Sequence, residues 1–133
     1  MQLDERKKLR GLKRLTSSLK YACDGLKYAY KNEQSMTIHI IVTLIVITLG
    51  IILNISSYEW IIVILCTGIM MCFELVNTSI EAAVDLTTNE YNEKAKVAKD
   101  VAAAVSLVFS ITSIIVGLII FIPKVIDFIR SIV

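Results

Sequence analysis

Glu74-Leu75-Val76-Asn77-Thr78-Ser79-Ile80-Glu81-Ala82-Ala83-Val84-Asp85 is the stretch whose reading decides the fold. It continues an uncharged apolar run, Ile61 to Phe73, with no proline or Asn/Asp cluster in between. Its polar members Glu74, Asn77, Glu81 and Asp85 are spaced three, four and four apart, which puts them on one face of a helix. Leu75, Val76, Ala82 and Ala83 leave the other face apolar. An ionisable group inside a bilayer costs about 2.5–3.5 kcal/mol even on lenient insertion scales. Three acids on one stripe of a membrane-length helix therefore need cations, metal or water beside them, and a functional reason.

Composition agrees with a membrane setting. Of 133 residues, 56% are hydrophobic, and the mean hydropathy of +0.70 is far above the soluble range. The length is that of one domain, residues 1–133. A net charge of +2 says little, but its distribution is uneven, with nine of the fourteen Lys/Arg before residue 32. Cys23, Cys66 and Cys72 form an odd set, two of them within an apolar segment, so they read as small buried side chains rather than a disulfide framework. No CxxC or HExxH spacing is present, and no secretory leader fits, because the first apolar run starts beyond residue 35.

Outward from the acidic stripe, four helices are expected. Residues 9–31 carry Leu9, Leu12, Leu15, Leu19, Ala22, Leu26 and Ala29 at helical spacing, with Arg10, Lys13, Arg14, Lys20, Lys27 and Lys31 supplying the polar side. That pattern predicts a basic amphipathic helix lying on an anionic bilayer surface; a soluble helix docked on the rest of the protein is the alternative. Residues 36–56, 60–86 and 96–122 are each long enough to cross a hydrocarbon core, which takes about 20 residues. Tyr58 and Trp60 read as interfacial aromatics, and Pro123 is expected to end the last span. The fold class is thus an all-α integral membrane protein: a surface helix plus three transmembrane helices. The early cations orient the N-terminus and the 87–99 connection toward the cytoplasm of a bacterial plasma membrane.

In that orientation the acidic stripe descends toward Lys94-Ala-Lys96-Val-Ala-Lys99-Asp100, the start of the last span. Alanines 95, 98 and 102–104 let helices approach closely. Two readings of the residues remain open. Lys99 facing Asp85 and Glu81 is either an ion pair that fixes packing, or part of a site in which carboxylates hold Mg²⁺ with phosphate oxygens. In the second, lysine meets phosphate as a point charge and a deeper Glu serves as general base. A Walker GxxxxGK[ST] and a kinase GxGxxG are both missing; the glycines are scattered at 11, 25, 50, 68 and 117.

Glu74-x-x-Asn77-Thr-Ser-Ile-Glu81-x-x-Val-Asp85, a short acidic linker, then Ala95-Lys-x-Ala-Lys99-Asp100-x-Ala-Ala resembles the prokaryotic diacylglycerol kinase/undecaprenol kinase family. The likeness extends upstream through Asn32-Glu33 and the basic helix, roughly residues 9–122. It implies a homotrimer of three-span subunits that phosphorylates a membrane lipid alcohol with ATP and Mg²⁺, and no nucleic-acid partner. Carried over residue by residue, Glu74 is the general base and Asn77 its polar neighbour. Glu33 and Glu81 hold Mg²⁺ with the ATP phosphates, Lys99 and Asp100 bind nucleotide, and Asp85 belongs to the polar network. Arg14 and Tyr21 match positions that cover the nucleotide, and Glu90, Tyr91 and Asn92 match a linker contact to it.

Two positions depart from the pattern. Asn92 stands where many members carry histidine. His39 stands where Gram-negative diacylglycerol kinases carry an acid, and aligns the chain with the Gram-positive branch, which resembles undecaprenol kinases. Undecaprenol is therefore the expected acceptor, with diacylglycerol as the alternative. A non-catalytic membrane assembly protein is the reading from a different class. A proton or ion conduit is disfavoured, because the first span and the outer half of the second lack ionisable residues apart from His39.

Overall fold

A computed structural model describes residues 11–87 and 90–132. Leu9 and Arg10, assigned above to the first helix, lie outside the described residues. Among the described residues the fold is all-helical: α1 (Leu12–Asn32), α2 (Gln34–Ile52), α3 (Ser57–Asp85) and α4 (Glu93–Ile132). Residues 1–34 and 35–133 form two compact units.

In the first unit, Gly11 precedes α1 with φ of 61°, and Glu33 ends it as an extended residue. The Glu33 N–H donates to the Ala29 carbonyl (2.9 Å), and the Asn32 amide donates to the Tyr28 carbonyl (2.8 Å). The first gives one carbonyl of the last turn a partner, where orphan carbonyls otherwise need water. Leu12, Leu15, Leu19 and Leu26 are exposed.

The second unit holds three helices long and apolar enough to cross a membrane. At 1.5 Å per residue α3 is about 43 Å long and α4 about 60 Å, against a hydrocarbon core of about 30 Å. Both therefore have length to spare at a polar end, and in each that end carries the charged residues of interest. α2 and α3 are joined by a tight turn with Asn54 at φ 49°. α3 opens on a capping box: Glu59 N–H donates to Ser56 Oγ (3.4 Å), and Ser56 N–H donates to Glu59 Oε2 (2.6 Å).

Trp60 packs between helices. Its ring lies over Gly50 of α2, where an added Cβ meets the indole at 2.8 Å, and it packs on a small core of Ile55, Val63 and Ile120. Tyr58, by contrast, is exposed. Gly50 is thus the notch that admits the indole. Gly50→Ala is expected to lower the melting temperature in detergent, in the range of about 1–3 kcal/mol for overpacking. Unchanged melting contradicts the notch.

Pro123 does not end α4, which runs on to Ile132. Proline removes one backbone donor and crowds the preceding turn. The residues beyond it, Val125, Ile126, Phe128 and Ile129, are apolar helix-compatible side chains, and Lys124 Nζ lies 3.4 Å from Glu59 Oε2. That ion pair ties the segment after the proline to the first turn of α3. A proline is tolerated in a membrane helix where neighbouring helices pack beside it.

α3 and α4 are antiparallel neighbours along their length. Ser110 Oγ donates to Met70 Sδ (3.4 Å), Phe73 and Phe109 meet edge to face (centroids 5.1 Å apart, 75°), and Lys99 meets Asp85. Ala102, Ser106 and Ile120 form the buried edge of α4.

Candidate active site

The acidic stripe is resolved by the three helices of the second unit into three levels. At the polar end of α3, Lys99 Nζ donates to Asp85 Oδ1. One turn further in, Asn77 Nδ2 donates to Glu81 Oε1 (2.9 Å). Deepest, Glu74 Oε2 lies 4.0 Å from His39 Nε2 of α2. Helical periodicity alone brings Glu74, Asn77, Glu81 and Asp85 into one column; the antiparallel packing of α4 and the position of α2 supply a partner at its two ends.

Exposure falls along the column. The Asp85 side chain is 64% exposed and that of Lys99 36%, whereas that of Glu74 is 8% exposed. An exposed ion pair contributes about 0–1 kcal/mol, so the Lys99–Asp85 contact is a weak packing device. Lysine held there is readily available to another anion. A buried carboxylate is a different matter, because removing it from water is costly unless it is paired or hydrogen-bonded. Among the described residues, His39 offers the only basic nitrogen within 4.0 Å of the Glu74 carboxylate.

The middle level has unused hydrogen-bonding capacity. Asn77 spends its amide nitrogen on Glu81, which fixes the amide orientation and leaves its oxygen directed elsewhere. Asn77 Oδ1 and Ser106 Oγ are both buried without a protein partner among the described residues. The register that pairs Met70 with Ser110 and Asp85 with Lys99 sets Ser106 level with Asn77. Unpartnered polar atoms in a buried position need an explanation, and a polar substrate group or a water at this level supplies one. Sequence reasoning missed Ser106, because a serine in an apolar helix carries no signal of its own.

The polar mouth is a hollow of about 470 Å³ lined by Val84, Asp85, Glu90, Tyr91, Asn92, Ala95, Lys96, Lys99 and Asp100. It gathers six residues singled out in the sequence, from the end of α3, the linker and the start of α4. Asn92 has a structural task there: its Oδ1 accepts from the N–H groups of Lys94 (2.9 Å) and Ala95 (3.3 Å), capping α4. Asn92→Ala is expected to cost about 0.5–2 kcal/mol of stability, and Asn92→Ser much less. Thermal melts of the two variants check this; equal losses contradict the cap.

A second hollow, of about 350 Å³, lies between α2, α3 and α4 and runs from Ile38 and His39 to Ile120 and Phe121. Its walls are hydrocarbon apart from His39, Thr43, Thr67, Ser110 and Ser113.

Arg14, exposed, and Tyr21, half-buried, stand on α1, and Glu33 ends that helix. All three belong to the first unit. Among the described residues no cluster of three or more His, Cys, Asp or Glu side chains forms a metal cage. A magnesium ion fits the donors that are present, since it commonly uses one or two carboxylates and completes its shell with phosphates and water. Glu81 has one oxygen engaged by Asn77 and a second that is not committed to that bond.

Comparison with known proteins places these residues in a family. The model for "Prokaryotic diacylglycerol kinase" matches residues 20–121. The chain is 38% identical to the undecaprenol kinase of Bacillus subtilis over 113 residues, covering 85% of this chain and 92% of that protein. It is 41% identical over 101 residues to a Helicobacter pylori diacylglycerol kinase, covering 76% of this chain and 79% of that one. It is 36% identical over 104 residues to the Synechocystis diacylglycerol kinase, of which it spans only 59%.

Proposed function

The chain belongs to the prokaryotic diacylglycerol kinase family and is a lipid kinase, and from that premise we propose that its acceptor is undecaprenol, converted with ATP to undecaprenyl phosphate. The 38% identity to the B. subtilis undecaprenol kinase, sustained over 113 residues, is the observation that carries this choice of acceptor. His39, the Gram-positive feature, supports it. Diacylglycerol is the second reading, favoured by the higher identity of the H. pylori relative over a shorter stretch.

The column of polar residues suits a reaction between a lipid and a water-soluble nucleotide. The lipid hydroxyl reaches Glu74 at membrane depth, and ATP enters the polar mouth. Glu74 removes the hydroxyl proton while the lipid oxygen bonds to the γ-phosphorus, and the bond from that phosphorus to the β-bridging oxygen breaks, releasing ADP. Such transfer depends mainly on positioning and charge neutralisation. Lys99 exchanges Asp85 for phosphate, with Asp100 beside it on the nucleotide. Asn77 orients Glu81; Glu81 and Glu33 are the carboxylates that would hold Mg²⁺. Such an ion would supply neutralisation of the phosphate charge. Arg14 and Tyr21 cover the nucleotide, Glu90 and Tyr91 contact it from the linker, and Asn92 shapes that linker through its cap.

The setting follows from the same family reading. The helix at 12–32 is amphipathic and lies on the cytoplasmic surface of the plasma membrane, with the basic N-terminal segment inside. The exposed apolar side chains of the three spans, such as Ile45, Leu65 and Ile115, are covered by lipid and by neighbouring subunits of a homotrimer. Transfer of label from γ-labelled ATP to undecaprenol in bilayers containing Mg²⁺ tests the proposal. Labelled undecaprenyl phosphate is the expected product; label in diacylglycerol alone overturns the choice of acceptor.

A further inference from the structure

We propose that His39 is the positioning residue for Glu74, its Nε2 donating a hydrogen bond that aims the buried carboxylate at the acceptor hydroxyl. The role given to Glu74 rests on the lipid kinase reading; the contact itself rests on geometry. His39 Nε2 is 4.0 Å from Glu74 Oε2, with the histidine side chain 21% exposed and the glutamate 8%.

Three observations lead to this assignment. First, the Glu74 carboxylate is the deepest acid of the column, and among the described residues no other basic nitrogen lies within 4.0 Å of it. A general base works only when its carboxylate is held toward the proton it takes, and a base oriented by a further polar group is the recurring solution. Second, α3 itself supplies no such group: Asn77, the next polar residue on the stripe, spends its amide on Glu81, and the Thr78 hydroxyl donates to the Glu74 backbone carbonyl (3.0 Å). The orienting group therefore comes from another helix, and it comes from α2. Third, His39 also lines the apolar hollow between α2, α3 and α4. It stands where a hydrocarbon-lined space meets the carboxylate, at the boundary a lipid hydroxyl has to reach.

The tautomer follows from the geometry. A donor toward Glu74 requires the hydrogen on Nε2. Glutamine can mimic that donor, because its terminal amide nitrogen extends about as far from the backbone as Nε2, whereas asparagine reaches only the Nδ1 position.

The chain contains a single histidine, so ¹⁵N-histidine labelling gives one pair of ring-nitrogen resonances in NMR spectra of the intact protein in detergent micelles. The expected wild-type spectrum has a hydrogen on Nε2, and Glu74→Leu and Glu74→Gln both shift that nitrogen. Ring-nitrogen shifts identical in wild type and both variants overturn the contact. This arm requires no phosphate transfer, so it gives its answer even if neither lipid is phosphorylated and the kinase assignment of Glu74 fails. In the kinetic arm, His39→Asn is expected to lower kcat about tenfold with the KM for ATP unchanged, as a small misplacement of a reacting group does. His39→Gln is expected to stay within about threefold of wild type. Equal losses in His39→Asn and His39→Gln, or full activity in both, overturn the positioning role.

Discussion

Glu74→Gln is expected to lower phosphate transfer to lipid by about a hundredfold to ten-thousandfold, the range supplied by a general base in proton transfer. Glutamine keeps the shape of the side chain and cannot accept the hydroxyl proton. The substitution removes a carboxylate that is 8% exposed, so it relieves a desolvation cost and leaves the packing of α3 on α4 intact. ATP affinity is expected to stay close to wild type, since Glu74 stands about 10 Å along the helix from Glu81, seven residues at 1.5 Å each. A folded Glu74→Gln protein that transfers phosphate at the wild-type rate contradicts the assignment of the base. A loss of nucleotide binding in that variant moves Glu74 from the acceptor side of the reaction to the nucleotide side.

The second large effect is expected at Lys99. A hydrogen bond to a charged group contributes about 1.5–3 kcal/mol, so Lys99→Met is expected to weaken ATP use by about tenfold to a hundredfold, read as KM for ATP or kcat/KM. Its cost in fold stability is expected to be small. The only side chain that Lys99 hydrogen-bonds among the described residues is that of Asp85, itself 64% exposed, and such pairs contribute about 0–1 kcal/mol. The two readings of the Lys99–Asp85 pair therefore separate cleanly. A packing device predicts a lower melting temperature with ATP kinetics unchanged; a nucleotide site predicts the reverse. Asp85→Asn serves as the control, with a melting temperature within a degree or two of wild type on the same small pair energy.

Much of the fold was legible because one pattern carries both the membrane span and the site. The spacing of Glu74, Asn77, Glu81 and Asp85 implies a helix, and the apolar run before it sets the depth. The structure keeps all four in one helix and joins Asn77 to Glu81. Charge complementarity likewise pointed to Lys99 and Asp85, and the structure pairs them. What was not legible depends on packing between helices. Nothing in the sequence of α2 says that His39 faces Glu74, since that requires the position of one helix against another. Trp60 read as an interfacial aromatic from its type; its packing over Gly50, where the missing side chain leaves a notch for the ring, was not legible. Pro123 read as a stop because proline breaks isolated helices, and here the Lys124–Glu59 pair and an apolar continuation carry α4 past it. Asn92 read as a linker contact; its side chain lines the polar mouth and also caps the first turn of α4, a task that was not legible.

The site residues from the first unit, Arg14, Tyr21 and Glu33, rest on the resemblance alone. Those of the second unit have geometry beside it.

The most direct test of the account sets the two lipids against each other. Undecaprenol and diacylglycerol, at equal mole fraction in one bilayer, compete for phosphate from γ-labelled ATP with Mg²⁺ present, and the ratio of labelled products reports the ratio of kcat/KM values. Undecaprenyl phosphate is expected to carry most of the label, and Glu74→Gln to remove label from both products together. Most of the label in phosphatidic acid contradicts the assigned acceptor, and label that persists in Glu74→Gln contradicts the assigned base.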